Sequence, residues 1–215
     1  MRALLLSALA LGALCTSALA QVTCTGVTGV NSVPQNGLSC QQEPTTASYG
    51  ATAVALAPAA SATDIFCLTG SATRVVRLQY MRISGSTGTL VNAPVFLFKR
   101  VVADTGGTAA TGTALPVPYA LDSVNPAPTA TAIAYTANPT INDASPGILD
   151  NDDLGLPTTG TAVGGGATIF DYSSRKYIEA PIVRGVAQQL CVNLNALTIS
   201  TGLLNITFRW TESPL

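Results

Sequence analysis

DIFCLTGSATRVVRLQYMRIS, from Asp64 to Ser84, decides the fold. It reads as two consecutive β-strands joined at Gly70-Ser71, with β-branched and apolar residues at alternate positions. In the first strand Phe66 and Leu68 point inward and Cys67 outward. In the second, Val76 and Leu78 share one face, and so do Met81 and Ile83, so the alternation slips by one residue near Gln79-Tyr80. A β-bulge there restores the register. Arg77 and Arg82 fall opposite the apolar positions, and with Arg74 they are expected to line the solvent side of the sheet.

Further along, LLNITFRWTE repeats the signal more cleanly. Leu204, Ile206, Phe208 and Trp210 alternate with Asn205, Thr207, Arg209 and Thr211, which places Trp210 in the core. APVFLFKR is apolar on both faces around Val95 to Phe98, as expected of a strand covered on both sides. AIAYTAN has Ile133 and Tyr135 at strand spacing. The prolines at 116, 118, 126 and 128 limit Leu115 to Ser123 to an edge strand at most. Thr168 to Asp171, Lys176 to Val183 and the segment around Leu190, Val192 and Leu194 also have strand character, whereas 140–167 is the most loop-like part of the chain. No amphipathic helix of ordinary length can be written after the N-terminal segment. Eight to ten short strands with Gly/Pro turns predict an all-β fold, an antiparallel β-sandwich of the jelly-roll kind, over residues 61–215.

The start of the chain reads differently. Met1-Arg2, an apolar run from Ala3 to Leu14, and Ala18-Leu19-Ala20 before Gln21 make a secretory signal peptide over residues 1–20. The apolar run is shorter than the ~20 residues of a bilayer-spanning helix, so no membrane attachment is expected after cleavage. An exported protein follows, periplasmic or extracellular. Residues 21–60 read as an irregular leader that becomes a short edge strand near Thr52 to Leu56 and stops at Pro58.

Cys24, Cys40, Cys67 and Cys191 remain after cleavage. An even count in an exported chain predicts two disulfides, with three connectivities available. Cys24 and Cys40 bracket a short segment, which favours their pairing. Cys67 with Cys191 then follows by elimination and by strand parity, since both point outward beside inward Phe66, Leu68, Leu190 and Val192.

Composition narrows function. Without Arg2, nine basic residues face eleven acidic ones, too few and too balanced for a nucleic-acid surface. Thr, Ala, Gly, Ser and Asn give a neutral, hydroxyl-rich exterior that repels neighbouring copies weakly. There is no histidine, so imidazole-based nucleophile activation and imidazole metal sites are absent. No GxSxG occurs, and Gly164-Gly165-Gly166 lacks the setting and lysine of a phosphate loop. Glu179 and Glu212, at strand ends, read as solvated. No enzymatic activity and no cofactor are expected. Asp150, Asp152 and Asp153 are candidate calcium ligands, weighed against an ordinary solvated loop. Tyr172, Tyr177 and Arg175 are candidates for stacking a glycan, weighed against an ordinary sandwich rim. Asn205-Ile206-Thr207 fits a glycosylation sequon but lies in a strand.

TDIFCLTGSATRVVRLQYMRIS, VFLFKR followed by ADTGGT, AIAYTANPT, PIVRG and QQLCVNLNALTISTGLLNITFRWTE, in that order, resemble a group of β-rich structural proteins of phage and prophage virions or tails. The resemblance spans about Thr63 to Glu212. It implies a non-enzymatic jelly-roll-like building block that assembles with itself or with a larger particle. The signal peptide, the leader cysteines and Cys67 and Cys191 depart from that pattern and suggest an exported relative. The partners expected are therefore copies of itself or a larger extracellular or particle assembly, with a glycan-binding module using the 140–180 region as the alternative.

Overall fold

The computed structural model describes residues 46–143, 147–160, 166–173, 180–199 and 201–215. The predicted signal peptide and the Cys24–Cys40 pairing lie outside them. Thr46–Leu215 forms one compact unit.

Two antiparallel sheets pack face to face, as alternation in the apolar strands predicts. In chain order the strands are β1 (Ala47–Leu56), β2 (Ser61–Thr69), β3 (Arg74–Ser86), β4 (Val91–Arg100), β5 (Thr108–Ala109), β6 (Tyr119–Ala120), β7 (Thr131–Ala137), β8 (Gly147–Leu156), β9 (Ala167–Asp171), β10 (Ile182–Arg184), β11 (Gln189–Thr198) and β12 (Leu203–Pro214). One sheet runs β10-β3-β12-β1-β6, with β9 also pairing β3; the other runs β5-β7-β2-β11-β4-β8. Among the described residues the only helical element is a single 3₁₀ turn, Gly112–Ala114.

The β3–β12 ladder joins the two stretches that declared the fold. Arg209 faces Tyr80 and Trp210 faces Leu78, so Gln79 is the extra residue and the expected bulge lies where the alternation slips. This bulge lets Val76, Leu78, Met81 and Ile83 all enter the core, where each is fully buried. Arg82 is exposed and Arg74 and Arg77 are half-buried. Phe66 of one sheet meets Phe208 of the other with ring centroids 4.7 Å apart, and Trp210 packs beside Tyr49 at 6.1 Å.

Two segments depart from their sequence reading. β1 begins at Ala47, inside the stretch assigned to the leader, and it lies within its sheet between β12 and the two-residue β6. Its small residues concealed it: Ala51 and Ala53 are fully buried yet carry little hydrophobic signal. β8, GILDNDDLGL, is a ten-residue strand in the stretch read as loop. It is an edge strand, paired with β4 on one side only, so its middle positions can be charged without desolvation; Leu154 and Leu156 alone are buried.

β3 and β12 approach closely at Gly85. A Cβ added there would lie 2.3 Å from the Leu203 carbonyl oxygen and 2.8 Å from Leu204 Cδ2. Gly85→Ala is expected to lower the free energy of unfolding by about 1–3 kcal/mol, read from the urea midpoint at unchanged slope.

Candidate functional site

The most unusual chemistry in the sandwich lies on the outer face of the second sheet, beneath residues 101–107. A bulge in the β2–β11 ladder creates it. Cys191 faces Cys67 and Val192 faces Phe66, but Asn193 faces Asp64, so Ile65 is extra. Asp64 is thereby turned to the same side as Cys67, where strict alternation would have pointed it into the core.

Cys67 and Cys191, directly opposed across the strands, form a disulfide that links positions 124 residues apart in sequence. The predicted parity of both cysteines holds. Tyr135 and Ile133 of β7 pack against the sulfurs.

Beside the disulfide, Arg100 at the end of β4 grips Asp64 with two parallel hydrogen bonds, Nε to Oδ2 and Nη2 to Oδ1, both 2.9 Å. The guanidinium also stacks on Phe98, its Cζ 4.4 Å from the ring centroid. Both partners of the ion pair are buried. Asn193 Nδ2 donates a further hydrogen bond to Asp64 Oδ1, and Asn193 Oδ1 accepts from the Asn195 amide at 2.6 Å. This last bond supports the left-handed backbone of Asn195 and Ala196, where β11 slips its register.

Asp104 closes the cluster from above. Its amide donates to Gln189 Oε1 at 2.9 Å, while Gln189 Nε2 donates to Thr69 Oγ1 at 3.0 Å. The segment is stitched to residues 140–143 by Val101 N donating to Asp143 Oδ2 at 2.7 Å and by Asn142 Nδ2 donating to the Ala103 carbonyl at 2.9 Å. The Asp104 carboxyl itself is poorly served. Oδ2 lies 3.8 Å from Cys67 Sγ, which has no proton to donate, and Oδ1 is buried without a hydrogen-bond partner. Burial, then hydrogen bonding to Asp64 and the negative charge of that neighbour, push the Asp104 pKa up to about 7 against the opposing pull of Arg100. Burial, reinforced by the two aspartates, also raises the Tyr135 phenol.

A second buried acid sits at the far end of β12. Glu212 accepts hydrogen bonds from the amides of Thr129 and Ala130, from Thr129 Oγ1 and from the Trp210 indole at 3.0 Å. It is buried at 4 % exposure, which corrects its reading as a solvated residue. Parity with Trp210 already turned it inward, and the donors that satisfy it come from a loop 83 residues earlier. Glu212→Gln keeps the shape but turns two of the four acceptor directions into donors. An expected loss of about 2 kcal/mol in urea unfolding follows.

The candidates named from sequence are placed as follows. Asp150, Asp152 and Asp153 lie along strand β8 rather than in a loop, with Asp152 and Asp153 exposed on opposite sides. Asp152 Oδ1 accepts from the Asp153 amide at 2.9 Å. They do not converge: among the described residues, the group of three or more such side chains close enough to surround an ion is Asp64, Cys67, Asp104 and Cys191. Tyr172 is buried and its hydroxyl donates to Asp150 Oδ2 at 3.0 Å, so its ring lines the sandwich interior. Tyr177, Arg175 and Glu179 lie outside the described residues.

The outer face of the first sheet holds two open clefts. One of about 350 Å³ is lined by Ser48, Gln79, Tyr80, Asp171, Ser173 and Arg209. The other, of about 510 Å³, includes Arg82, Ser84, Asn205 and Thr159. In the first, Arg209 lies 5.6 Å from the Tyr80 ring centroid, and hydrogen bonds from Ser173 hold the Asp171 carboxyl below the usual carboxylate range.

Fold and cluster together define an antiparallel β-sandwich cross-linked between adjacent strands, with a buried carboxyl pair beside the cross-link. Comparison with known proteins supplies no relative: no family model, no curated protein and no solved structure matches this chain.

Proposed function

We propose that this is an exported, non-enzymatic structural protein that associates with copies of itself. The observation that carries the reading is an exposed apolar run beside the edge strand β6, in which Leu115, Val117, Tyr119, Leu121 and Val124 all present their side chains to solvent. Large apolar side chains exposed this densely along one short stretch of chain support an interaction site there. A second copy suits it because β6 leaves most of β1 without a long neighbour on that side, and the near-neutral charge sets up little repulsion between like molecules. The disulfide, together with an N-terminal stretch that reads as a signal peptide, supports export, since cross-links persist in oxidising compartments. Among the described residues no helix is long and apolar enough to cross a membrane. The jelly-roll wiring, expected from the number of short strands and their Gly/Pro turns, and a place in a larger particle, expected from the resemblance to phage structural proteins, extend this proposal.

Light scattering coupled to size exclusion tests this reading. The protein should exceed its monomer mass, and Val117→Asp with Val124→Asp should return it to a monomer. A strict monomer at high concentration would remove the proposal.

A second reading, glycan binding, draws on the cleft around Tyr80, Asp171 and Arg209, which offers an aromatic face and both signs of charge at one place. A glycan array on which Arg209→Ala binds no less than the parent protein would dismiss it.

A further inference from the structure

The Asp64, Cys67, Asp104 and Cys191 cluster has a chemistry that the oxidised sandwich does not use. One ligand atom from each of the four residues lies within 4.8 Å of the others, and all four residues are buried. Ligands around a tetrahedral Zn²⁺ at about 2.0–2.3 Å sit roughly 3–4 Å from one another, so breaking the disulfide lets the two sulfurs, closer than that when bonded to each other, separate to that spacing while the carboxylate draws in.

We propose that reduction of the Cys67–Cys191 disulfide converts this cluster into a binding site for a thiophilic divalent cation, Zn²⁺ by preference, held by the two cysteine thiolates and the Asp104 carboxylate.

Proximity is one ground; the unmet bonding of Asp104 is another, independent one. Its Oδ1 is buried with no partner in a residue only 8 % exposed. A buried carboxylate oxygen without a donor is costly, and a cation satisfies it. Charge balance points to the same ligands. Arg100 already neutralises Asp64 through its two hydrogen bonds, which leaves Asp104 as the acid lacking a cationic partner. Two thiolates and the Asp104 carboxylate bring three negative charges to the dication, so the loaded site keeps a single net negative charge where the same anions alone would carry three. Asp64, fixed by Arg100 and Asn193, stands within reach as a fourth oxygen donor. Two soft sulfurs select Zn²⁺ over Ca²⁺ or Mg²⁺. The scaffold is already in place, because the cysteines oppose each other on paired strands and Gln189 anchors the Asp104 amide.

The redox step balances simply. A small-molecule or protein dithiol gives two electrons and two protons to the disulfide, yielding two thiols and becoming a disulfide itself. Metal binding then releases the two thiol protons, and the Asp104 proton where that carboxyl still holds one. With the sulfurs bonded to each other no thiolate exists, so the oxidised protein has no such site.

The test is a metal titration of the purified chain before and after reduction with a phosphine, which does not itself compete as a thiol ligand. Co²⁺ is the optical probe, followed by displacement with Zn²⁺. The reduced protein should show thiolate-to-cobalt charge transfer in the near ultraviolet and tetrahedral d–d bands in the visible, and the oxidised protein neither. Cys67→Ser with Cys191→Ser, which keeps the leader cysteines, should abolish the signal. Asp104→Asn should weaken binding by about tenfold or more, while Asp152→Asn on β8 should not alter it. The proposal is overturned if the reduced, folded chain binds no metal, if the double serine variant binds equally well, or if Asp104→Asn titrates like the parent. Should reduction unfold the sandwich, Zn²⁺ must restore its β circular dichroism; failure to do so overturns the proposal as well.

Discussion

Replacing Arg100 by Met should destabilise the sandwich by about 3–5 kcal/mol. The change removes both guanidinium hydrogen bonds and the stacking on Phe98, and Asp64 is left buried with Asn193 as its remaining strong donor. A carboxylate taken out of water and then deprived of its counter-ion costs far more than the pair contributes when whole. Pairing the change with Asp64→Leu removes both charges, so the double variant should recover most of the loss. Urea unfolding of the two single variants and the double gives the coupling energy directly. Equal losses in Arg100→Met and the double variant would show that the ion pair itself matters little.

Acidification from neutral pH should stabilise this protein, against the habit of most folded chains. Asp104 has its pKa raised from 3.8 to about 7 in the fold, so between those values the native state holds a proton that the unfolded chain has lost. Stability therefore falls as pH rises through that window, by up to about 1.4 kcal/mol per pH unit, and levels off above about 7. As an acid, Asp104 shares its proton with Asp64; as a carboxylate, it faces a like charge and leaves Oδ1 without a donor. Asp104→Asn is neutral at every pH and should flatten the slope, so that the variant exceeds the parent above neutrality and loses that advantage near pH 4. Urea midpoints between pH 4 and 8.5 decide it. A parent whose stability rises steadily over that range would contradict the buried acid.

The two predictions concern the same few residues, and the sequence concealed nearly all of them. Cys67 and Cys191 were legible because alternation fixes the side of a strand on which a residue sits, and two outward cysteines on neighbouring strands can meet. Asp64 was not legible, because the extra residue Ile65 reverses its side and nothing in TDIFC announces a bulge there. In β3 the bulge was visible, since apolar residues on both flanks displayed the slip. Arg100 and Asp104 carried no sign of burial in the sequence, the first closing VFLFKR and the second lying in ADTGGT. Their burial depends on 101–107 folding back over the sheet and binding 140–143 and Gln189, contacts made across long separations in sequence. Glu212 was misjudged in the opposite way: its charge and its place at a strand end read as solvated, although it shares the parity of buried Trp210 and its donors at Thr129 and Ala130 lay out of sight. β8 was missed because an edge strand tolerates aspartates that hide its period.

Sequence alone determined that this chain builds antiparallel sheets with an aliphatic and aromatic core, because a two-residue period in apolar side chains can be buried in only one way. It also determined which cysteines share a face, for the same reason. Tertiary structure alone decided which charges are buried and what satisfies them, since desolvation is set by what packs on top of a residue and not by its neighbours in the chain.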